Sequence, residues 1–129
     1  MHIVRGDGIA YIPASHERPD APGVLKKVLL RAGDLIEGRV QMINWALLPA
    51  GKSFQAHLHE DMQEIFILVQ GSARIDIAGT SAELDTGDAV LVPVAAVHTM
   101  HNTGEADAVY IAIGITQGMG GKTVVVEEA

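Results

Sequence analysis

Glycine and proline interrupt this chain at short intervals and leave little room for a long helix. The sequence contains 14 Gly and 5 Pro, residues that break helices and favour turns. The segments between them are short and rich in Val, Ile and Leu, which is typical of β-strands joined by turns. We expect strands at residues 24–30, 40–48, 64–69, 73–77, 89–92, 108–115 and 123–126. Short strands in this number predict an all-β sandwich or barrel.

The hydrophobic pattern differs from one predicted strand to another. Residues 73–77 alternate between apolar and charged side chains, as a strand with one buried and one solvent-facing side does. Residues 108–115 are apolar on both faces of the predicted strand. We therefore expect a second sheet to cover one face and a second subunit to cover the other. The strand at 123–126 would be an unpaired edge by itself. We expect it to pair across the subunits of a homodimer.

The length of the chain indicates one domain. A chain of 129 residues is within the usual size of a single domain, and we interpret residues 1–129 in this way. An N-terminal arm at 1–23 precedes a barrel at 24–116 and a C-terminal tail or strand at 117–129. We expect the glycine-rich part of that tail, 118–121, to be flexible.

The charge and composition exclude several classes of partner. A formal net charge of −7 disfavours nucleic acid and anionic membranes, which need clustered Lys and Arg. We interpret Lys26 and Lys27 as part of a solvent-facing strand surface, and the predicted cavity strands carry no cluster of Arg and Lys, which disfavours a sugar-phosphate substrate. The N-terminus lacks the apolar segment of a secretory signal, and no stretch reaches the ~18 apolar residues of a spanning helix. We therefore expect a cytoplasmic protein with a small-molecule partner.

The histidines are concentrated in one part of the sequence. Four of the six lie between residues 57 and 101. His57 and His59 leave the same face of the chain if this segment is extended, and Glu64 opens an apolar run where a carboxylate needs a partner or a cation. His98 follows a predicted turn and is able to close a site from across a barrel. The chain has no cysteine, so this set predicts a metal site of imidazole and carboxylate; each histidine by itself also fits an ordinary surface or core imidazole.

Side chains of the same parity are expected to surround such a site. Phe66 and Leu68 share the parity of Glu64, and Met100 shares that of His98, so we predict that they line the cavity. Gln55 shares the parity of His57 and is predicted either to line the same cavity or to be an ordinary exposed glutamine. His101 is a candidate general base, with an exposed loop histidine as the alternative.

These residues also resemble the two sequence motifs of the cupin family. The first motif, G-x5-H-x-H-x3,4-E-x6-G, is matched throughout by Gly51, His57, His59, Glu64 and Gly71. The second, G-x5-P-x-G-x2-H-x3-N, is matched by Gly87, Pro93, His98 and Asn102 but has Ala95 at its middle glycine. If that turn requires a positive φ, alanine there costs ~1 kcal/mol.

The resemblance implies a fold, a cofactor and a range of functions. Cupins are double-stranded β-helix, or jelly-roll, barrels of two antiparallel sheets. The resemblance implies one divalent transition metal per chain (Mn, Fe, Ni, Co, Zn or Cu) bound by His57, His59, Glu64 and His98. It favours an oxygenase-like enzyme that acts on a small organic substrate, with a metal-dependent isomerase and a non-catalytic metal or sugar-like ligand-binding module as alternatives. It also implies a homodimer.

Overall fold

The computed structural model describes residues 1–117 and 122–127, and strands are its main regular structure. In chain order the strands are β1 (Ile12–Pro13), β2 (Leu25–Arg31), β3 (Val40–Leu48), β4 (His57–His59), β5 (Met62–Gln70), β6 (Ala73–Ile77), β7 (Thr80–Leu84), β8 (Ala89–Val92), β9 (His98–His101), β10 (Ala108–Thr116) and β11 (Thr123–Val125). Two single-turn 3₁₀ helices span Gly6–Gly8 and Ala32–Asp34. The predicted flexible segment 118–121 lies outside the described residues.

The strands form two antiparallel sheets. The larger sheet has the order β1-β2-β3-β10-β5-β8, and the smaller has the order β11-β4-β9-β6-β7. Neighbours in both sheets are mostly distant in the sequence, as in a jelly roll. The predicted all-β, double-stranded β-helix fold is confirmed.

The interior between the sheets is built by alternation along the strands. In β5, β9 and β10 every second side chain is buried, because the pleat directs those side chains into the barrel. The most deeply buried hydrophobic side chains are those of Val24, Leu48, Leu68, Ile75, Val92 and Met100. One continuous core therefore connects both sheets.

The strand predictions fail where a strand is short or polar. The structure adds β1, β4, β7 and β9, none of which was assigned as a strand from the apolar pattern. In β7 only Leu84 is buried, so this strand is held by its pairing with β6 rather than by hydrophobic burial. Local apolarity carries no signal for such a strand.

The N-terminal arm packs against the barrel through one buried carboxylate. The Glu17 side chain is only 3% exposed. Its Oε1 accepts hydrogen bonds from the backbone N–H groups of Gly23 (2.6 Å) and Val24 (3.3 Å), and its Oε2 accepts one from Gln55 N–H (2.8 Å). These bonds fix the end of the arm to the segment that leads into β4.

The C-terminal strand also pairs within its own chain. Thr123 lies opposite His59, and Val125 lies opposite His57, in an antiparallel pair. The expectation that this segment pairs across subunits is therefore replaced by pairing with β4 of the same chain. Among the described residues, no helix is long and apolar enough to cross a membrane.

The alanine that departs from the second motif lies in a left-handed turn. Ala95 has a φ of 61°, a conformation in which Cβ is crowded by the following carbonyl. We expect Ala95→Gly to stabilise the fold by roughly 0.5–1 kcal/mol, after allowing for the greater freedom of glycine in the unfolded chain. Thermal melting should show a rise of roughly 2–5 °C.

The adjacent alanine supplies the control for this substitution. Ala96 is not among the residues with positive φ, so Ala96→Gly should lower the melting temperature. A decrease for both variants would contradict the predicted strain at Ala95.

Candidate metal centre

Four side chains from three strands meet inside the barrel. His57 and His59 lie on β4, Glu64 lies on β5 and His98 lies on β9. His57 pairs directly with His98 across the smaller sheet, whereas Glu64 reaches the cluster from the larger sheet. All four residues are buried, and one potential ligand atom from each lies within 4.8 Å of the others. The sheets therefore bring together the residues that the sequence predicted as ligands.

Backbone carbonyls orient two of the imidazoles. His57 Nδ1 donates to Gln55 O at 2.7 Å, and His98 Nδ1 donates to Ala96 O at 3.0 Å. A carbonyl oxygen only accepts, so each Nδ1 carries a proton, and in the neutral form of either ring the lone pair is on Nε2. Such backbone contacts commonly fix the tautomer of metal-binding histidines.

One buried nitrogen in the cluster has no hydrogen-bond partner. His98 Nε2 lies 3.5 Å from Glu64 Oε1 and makes no hydrogen bond in the structure. A buried polar atom left unpaired costs about 1–3 kcal/mol. A cation at the centre would accept this lone pair together with that of His57, so the residues present fit a metal ion.

The third imidazole contacts the carboxylate directly. His59 Nε2 donates to Glu64 Oε1 at 2.5 Å, and His59 Nδ1 lies 2.9 Å from the hydroxyl of Thr123 on β11. The Nε2–H bond leaves Nδ1 as the acceptor of the Thr123 hydroxyl proton. Coordination by Nε2 would move the ring proton to Nδ1 and make Thr123 the acceptor.

Burial and the neighbouring side chains keep Glu64 and His57 in the protonation states that a cation requires. Burial raises the pKa of Glu64, but the imidazoles of His59 and His98 beside it outweigh that effect and lower the pKa to about 2. Burial, followed by the nearby His98, lowers the pKa of His57 to about 4. At neutral pH the carboxylate is ionised and the His57 imidazole is neutral, which are the forms that bind metals.

A cavity of about 180 Å³ adjoins the cluster. His57, His59 and Glu64 form part of its wall, and Phe66 lines it as predicted. Leu68 and Met100 instead belong to the hydrophobic core and are not among the lining residues. Their parity is correct, but they lie further along the strands than the cavity extends.

Gln55 does not line this cavity. It precedes β4, and its side chain faces an outer groove that it shares with Ser53 and His101. Only the Gln55 carbonyl contacts the cluster, through His57 Nδ1. The parity argument fails here because regular strand geometry begins at His57.

His101 points away from the cluster. His98 and Met100 are buried on β9, whereas His101 is half-buried on the other face. Its Nδ1 lies 2.6 Å from Ser53 Oγ, and its Nε2 lies 2.8 Å from Asp76 Oδ2. His101 therefore does not face the four predicted ligands, because three residues along a strand reverse the direction of the side chain.

Several polar residues that the sequence analysis missed also line the cavity, among them His16, Lys26 and Asn44. His16 of the arm stacks on His57, with ring centroids 3.9 Å apart and an interplanar angle of 17°. Lys26 of β2 and Asn44 of β3 line the same cavity. The alternation along β3 could have indicated Asn44, which shares the inward side of that strand with Ala46 and Leu48. No local pattern indicates His16, because its position depends on the path of the arm.

Lys26 and Lys27 differ from the solvent-facing pair that was expected. Both are half-buried. Lys26 Nζ donates to Ser15 Oγ at 2.8 Å, while Lys27 Nζ donates to Gly6 O at 2.9 Å and lies 4.6 Å from the centre of the Tyr11 ring. The arm covers this part of β2, which is why the lysines are shielded.

Comparison with known proteins gives one family and a consistent fold. The family model described as a cupin domain matches residues 44–114. A predicted oxalate decarboxylase from Thermotoga maritima is 25% identical, with a TM-score of 0.79 over 89% of this chain and 99% of that one. The polyketide cyclase RemF from Streptomyces resistomycificus is 16% identical, with a TM-score of 0.79 over 100% of this chain and 87% of that one. KdgF from Halomonas sp. is 20% identical, with a TM-score of 0.71 over 90% of this chain and 95% of that one. No protein with a curated description matches the sequence significantly.

Proposed function

The chain belongs to the cupin domain family, and on that premise we propose that it is a metal-dependent enzyme acting on a small organic substrate. In this proposal His57, His59, Glu64 and His98 hold one divalent transition metal. The observation that carries the proposal is the buried, unpartnered Nε2 of His98 within a cluster of four potential ligands.

The donor set limits the choice of metal. Three imidazole nitrogens and one carboxylate oxygen suit Mn, Fe, Co, Ni, Cu or Zn, and the chain supplies no thiolate. A divalent ion in this site would act as a Lewis acid toward a substrate oxygen or as a redox centre.

The residues of the chain would bind, orient and shield the substrate. Phe54 and Phe66 are buried, line the cavity and lie edge to face with ring centroids 6.1 Å apart. These rings exclude water from one side of the cavity, which strengthens electrostatic interactions inside it. His57 and His98 would keep their orientation throughout, because both Nδ1 atoms are bound to backbone carbonyls.

The reaction class we favour is an oxygenation, with isomerisation as the alternative within the same proposal. The similarity to a predicted oxalate decarboxylase favours a small oxygenated substrate. A non-catalytic ligand-binding module would use the same cluster and cavity. Oxygen consumption and product analysis of the iron-loaded protein with catechols, diketones and thiols together separate the three: an oxygenase consumes dioxygen, an isomerase converts substrate without it, and a binding module does neither.

We expect the purified protein, after loading with individual divalent metals, to retain about one metal ion per chain. His98→Ala should lower the metal content sharply, since the unpaired nitrogen that it removes is one of the four donors. Elemental analysis after gel filtration measures this directly.

His101→Ala is the matched control, because His101 lies on the same strand and faces away from the cluster. It should keep the wild-type metal content. An absence of metal from the wild type after loading with Mn, Fe, Co, Ni, Cu and Zn would refute the proposal, as would equal losses in the two variants.

We also propose that the protein is a homodimer built on the outer face of the larger sheet. Two rows of apolar side chains run across this face from β3 through β10 and β5 to β8. The rows consist of Trp45, Ile111, Ile67 and Ala89, and of Ile43, Ile113, Ile65 and Leu91. Leu91 is 53% exposed. An apolar sheet face of this extent favours a symmetric partner of the same kind.

Light scattering is expected to give the mass of a dimer for the wild type. Ile113→Lys places a charge in the middle of the proposed interface and should shift the protein to a monomer. Thr80→Lys, on the exposed part of β7, should leave the dimer intact. A monomeric wild type would contradict this arrangement.

A further inference from the structure

The cavity beside the metal cluster contains one basic side chain. Lys26 is the only Lys or Arg among the described residues that line it, and Glu64 is the only carboxylate. The two charges offset each other when the cluster is empty. A divalent cation bound to the cluster would leave the cavity with a net positive charge, which attracts an anion.

Lys26 has donors available for a ligand. Its ammonium group has three N–H donors, and the structure records one side-chain acceptor for it, Ser15 Oγ at 2.8 Å. Burial lowers the pKa of Lys26 from its ordinary value, with smaller effects from Arg31 and Glu64. Partial removal of water around an ammonium group strengthens its attraction for an anion.

Asn44 lines the same cavity and has a buried, unsatisfied acceptor. The residue is 8% exposed, and its Oδ1 has no hydrogen-bond partner in the structure. Asn44 and Lys26 lie on the neighbouring strands β3 and β2, and the backbone partner of Lys26 is Ala46, two residues beyond Asn44. A cationic donor, Lys26, and an amide, Asn44, therefore line the cavity from adjacent strands.

A ligand that satisfies Asn44 Oδ1 must donate a hydrogen bond. A hydroxyl group does this, whereas a bare carboxylate only accepts. His16, also at the cavity wall, has a buried Nε2 that makes no hydrogen bond and lies 3.7 Å from Glu17 Oε2. These unpaired atoms favour a ligand with more than one oxygen function, because leaving them unpaired costs free energy.

The volume of the cavity limits the size of the ligand. The volume of about 180 Å³ is many times the ~10–15 Å³ of accessible space that one water molecule needs, so the cavity accommodates a small organic molecule.

Taking the proposed metal site as given, we propose that the cavity selects a small hydroxycarboxylate. The carboxylate would be held at Lys26, and the hydroxyl would donate to Asn44 Oδ1. This assigns a substrate class to the site and two specificity-determining residues that lie outside the metal-ligand motifs.

Three probes of nearly equal size test the proposal on the metal-loaded wild type. Lactate has both groups, propionate lacks the hydroxyl and lactamide lacks the charge. Isothermal titration calorimetry should show that lactate binds at least about tenfold more tightly than either of the other two. Equal affinity for lactate and lactamide, or for lactate and propionate, would overturn the assignment without any need for a variant.

Two variants then assign each preference to its residue. Lys26→Met should abolish the preference for lactate over lactamide, and Asn44→Leu should abolish the preference for lactate over propionate. Lys27→Met removes the same charge from the adjacent position of β2, where the side chain contacts Gly6 and Tyr11 instead of the cavity, and should bind all three probes as the wild type does. A loss in Lys27→Met equal to that in Lys26→Met would contradict the proposal.

The metal content of each sample separates this inference from the proposed function. A protein that takes up no metal contradicts the proposed function. A protein that holds about one metal per chain but binds lactate no better than the other probes contradicts the inference alone.

Discussion

Reloading the chelator-treated protein with a divalent transition metal is expected to raise its melting temperature by on the order of 10 °C. A ligand that binds only the folded state stabilises it by about 4 kcal/mol at a free concentration one thousand times its Kd. The ligand atoms come from β4, β5 and β9, so the unfolded chain offers no comparable site. Differential scanning calorimetry with and without metal measures the shift.

The rise in melting temperature caused by the metal should depend on the ligand residues and on pH. His98→Ala should lose most of the shift, and His101→Ala should keep it. The lowered pKa of His57, about 4 against an ordinary 6.5, means that protons compete for this imidazole only when the pH approaches that value. The metal-dependent increase should therefore be lost by the time the pH has fallen to about 4, where protons compete for His57. Identical melting of metal-free and reloaded protein at neutral pH would contradict the linkage.

Gly23→Ala is expected to detach the N-terminal arm from the barrel. A Cβ at this position would lie well inside van der Waals contact with the Ser53 carbonyl oxygen, 2.7 Å from Ser53 C and 2.8 Å from Glu17 Oε1. Two of these atoms are backbone, so the arm must move and the hydrogen bonds to Glu17 must weaken. We expect a loss of roughly 3 kcal/mol or more, because overpacking is combined with a buried carboxylate that loses its partners.

Limited proteolysis and thermal melting test this prediction together. The variant should be cleaved within the arm under conditions where the wild type is resistant, and its melting temperature should fall by roughly 10 °C. Gly8→Ala is the matched control in the same arm, since a Cβ there meets nothing within 4 Å. If the two variants behaved alike, the packing role of Gly23 would be refuted. The metal content of the Gly23 variant should be preserved, because no metal ligand lies in the arm.

The β-strand fold could be predicted because the hydrophobic pattern that indicates a strand lies within the residues of that strand. Alternation in 73–77 and two-sided apolarity in 108–115 each follow from the pleat of a single strand, and the structure contains both strands. The polar strand β7 was missed for the same reason: only one of its side chains is buried, so its existence depends on pairing with β6. The turn at Ala95 was predicted conditionally from the motif, and its positive φ fulfils that condition.

Local spacing could not indicate which polar groups share the cavity. His101 is three residues from His98 in the sequence but faces Ser53 and Asp76 on the other side of the sheet. Gln55 is two residues from His57 but lies before regular strand geometry begins. Conversely, His16 is distant in the sequence from His57 yet stacks directly on it.

The sequence by itself determined the double-stranded β-helix and the four residues that meet at its centre, since motif spacing and strand parity are properties of neighbouring residues. Only the tertiary structure decided how far the cavity extends and what else enters it. The arm reaches the cavity because the buried carboxylate of Glu17 binds backbone groups of Gly23, Val24 and Gln55. That long-range contact carries His16 onto His57 and brings the arm over Lys26, and no pattern within the arm records it.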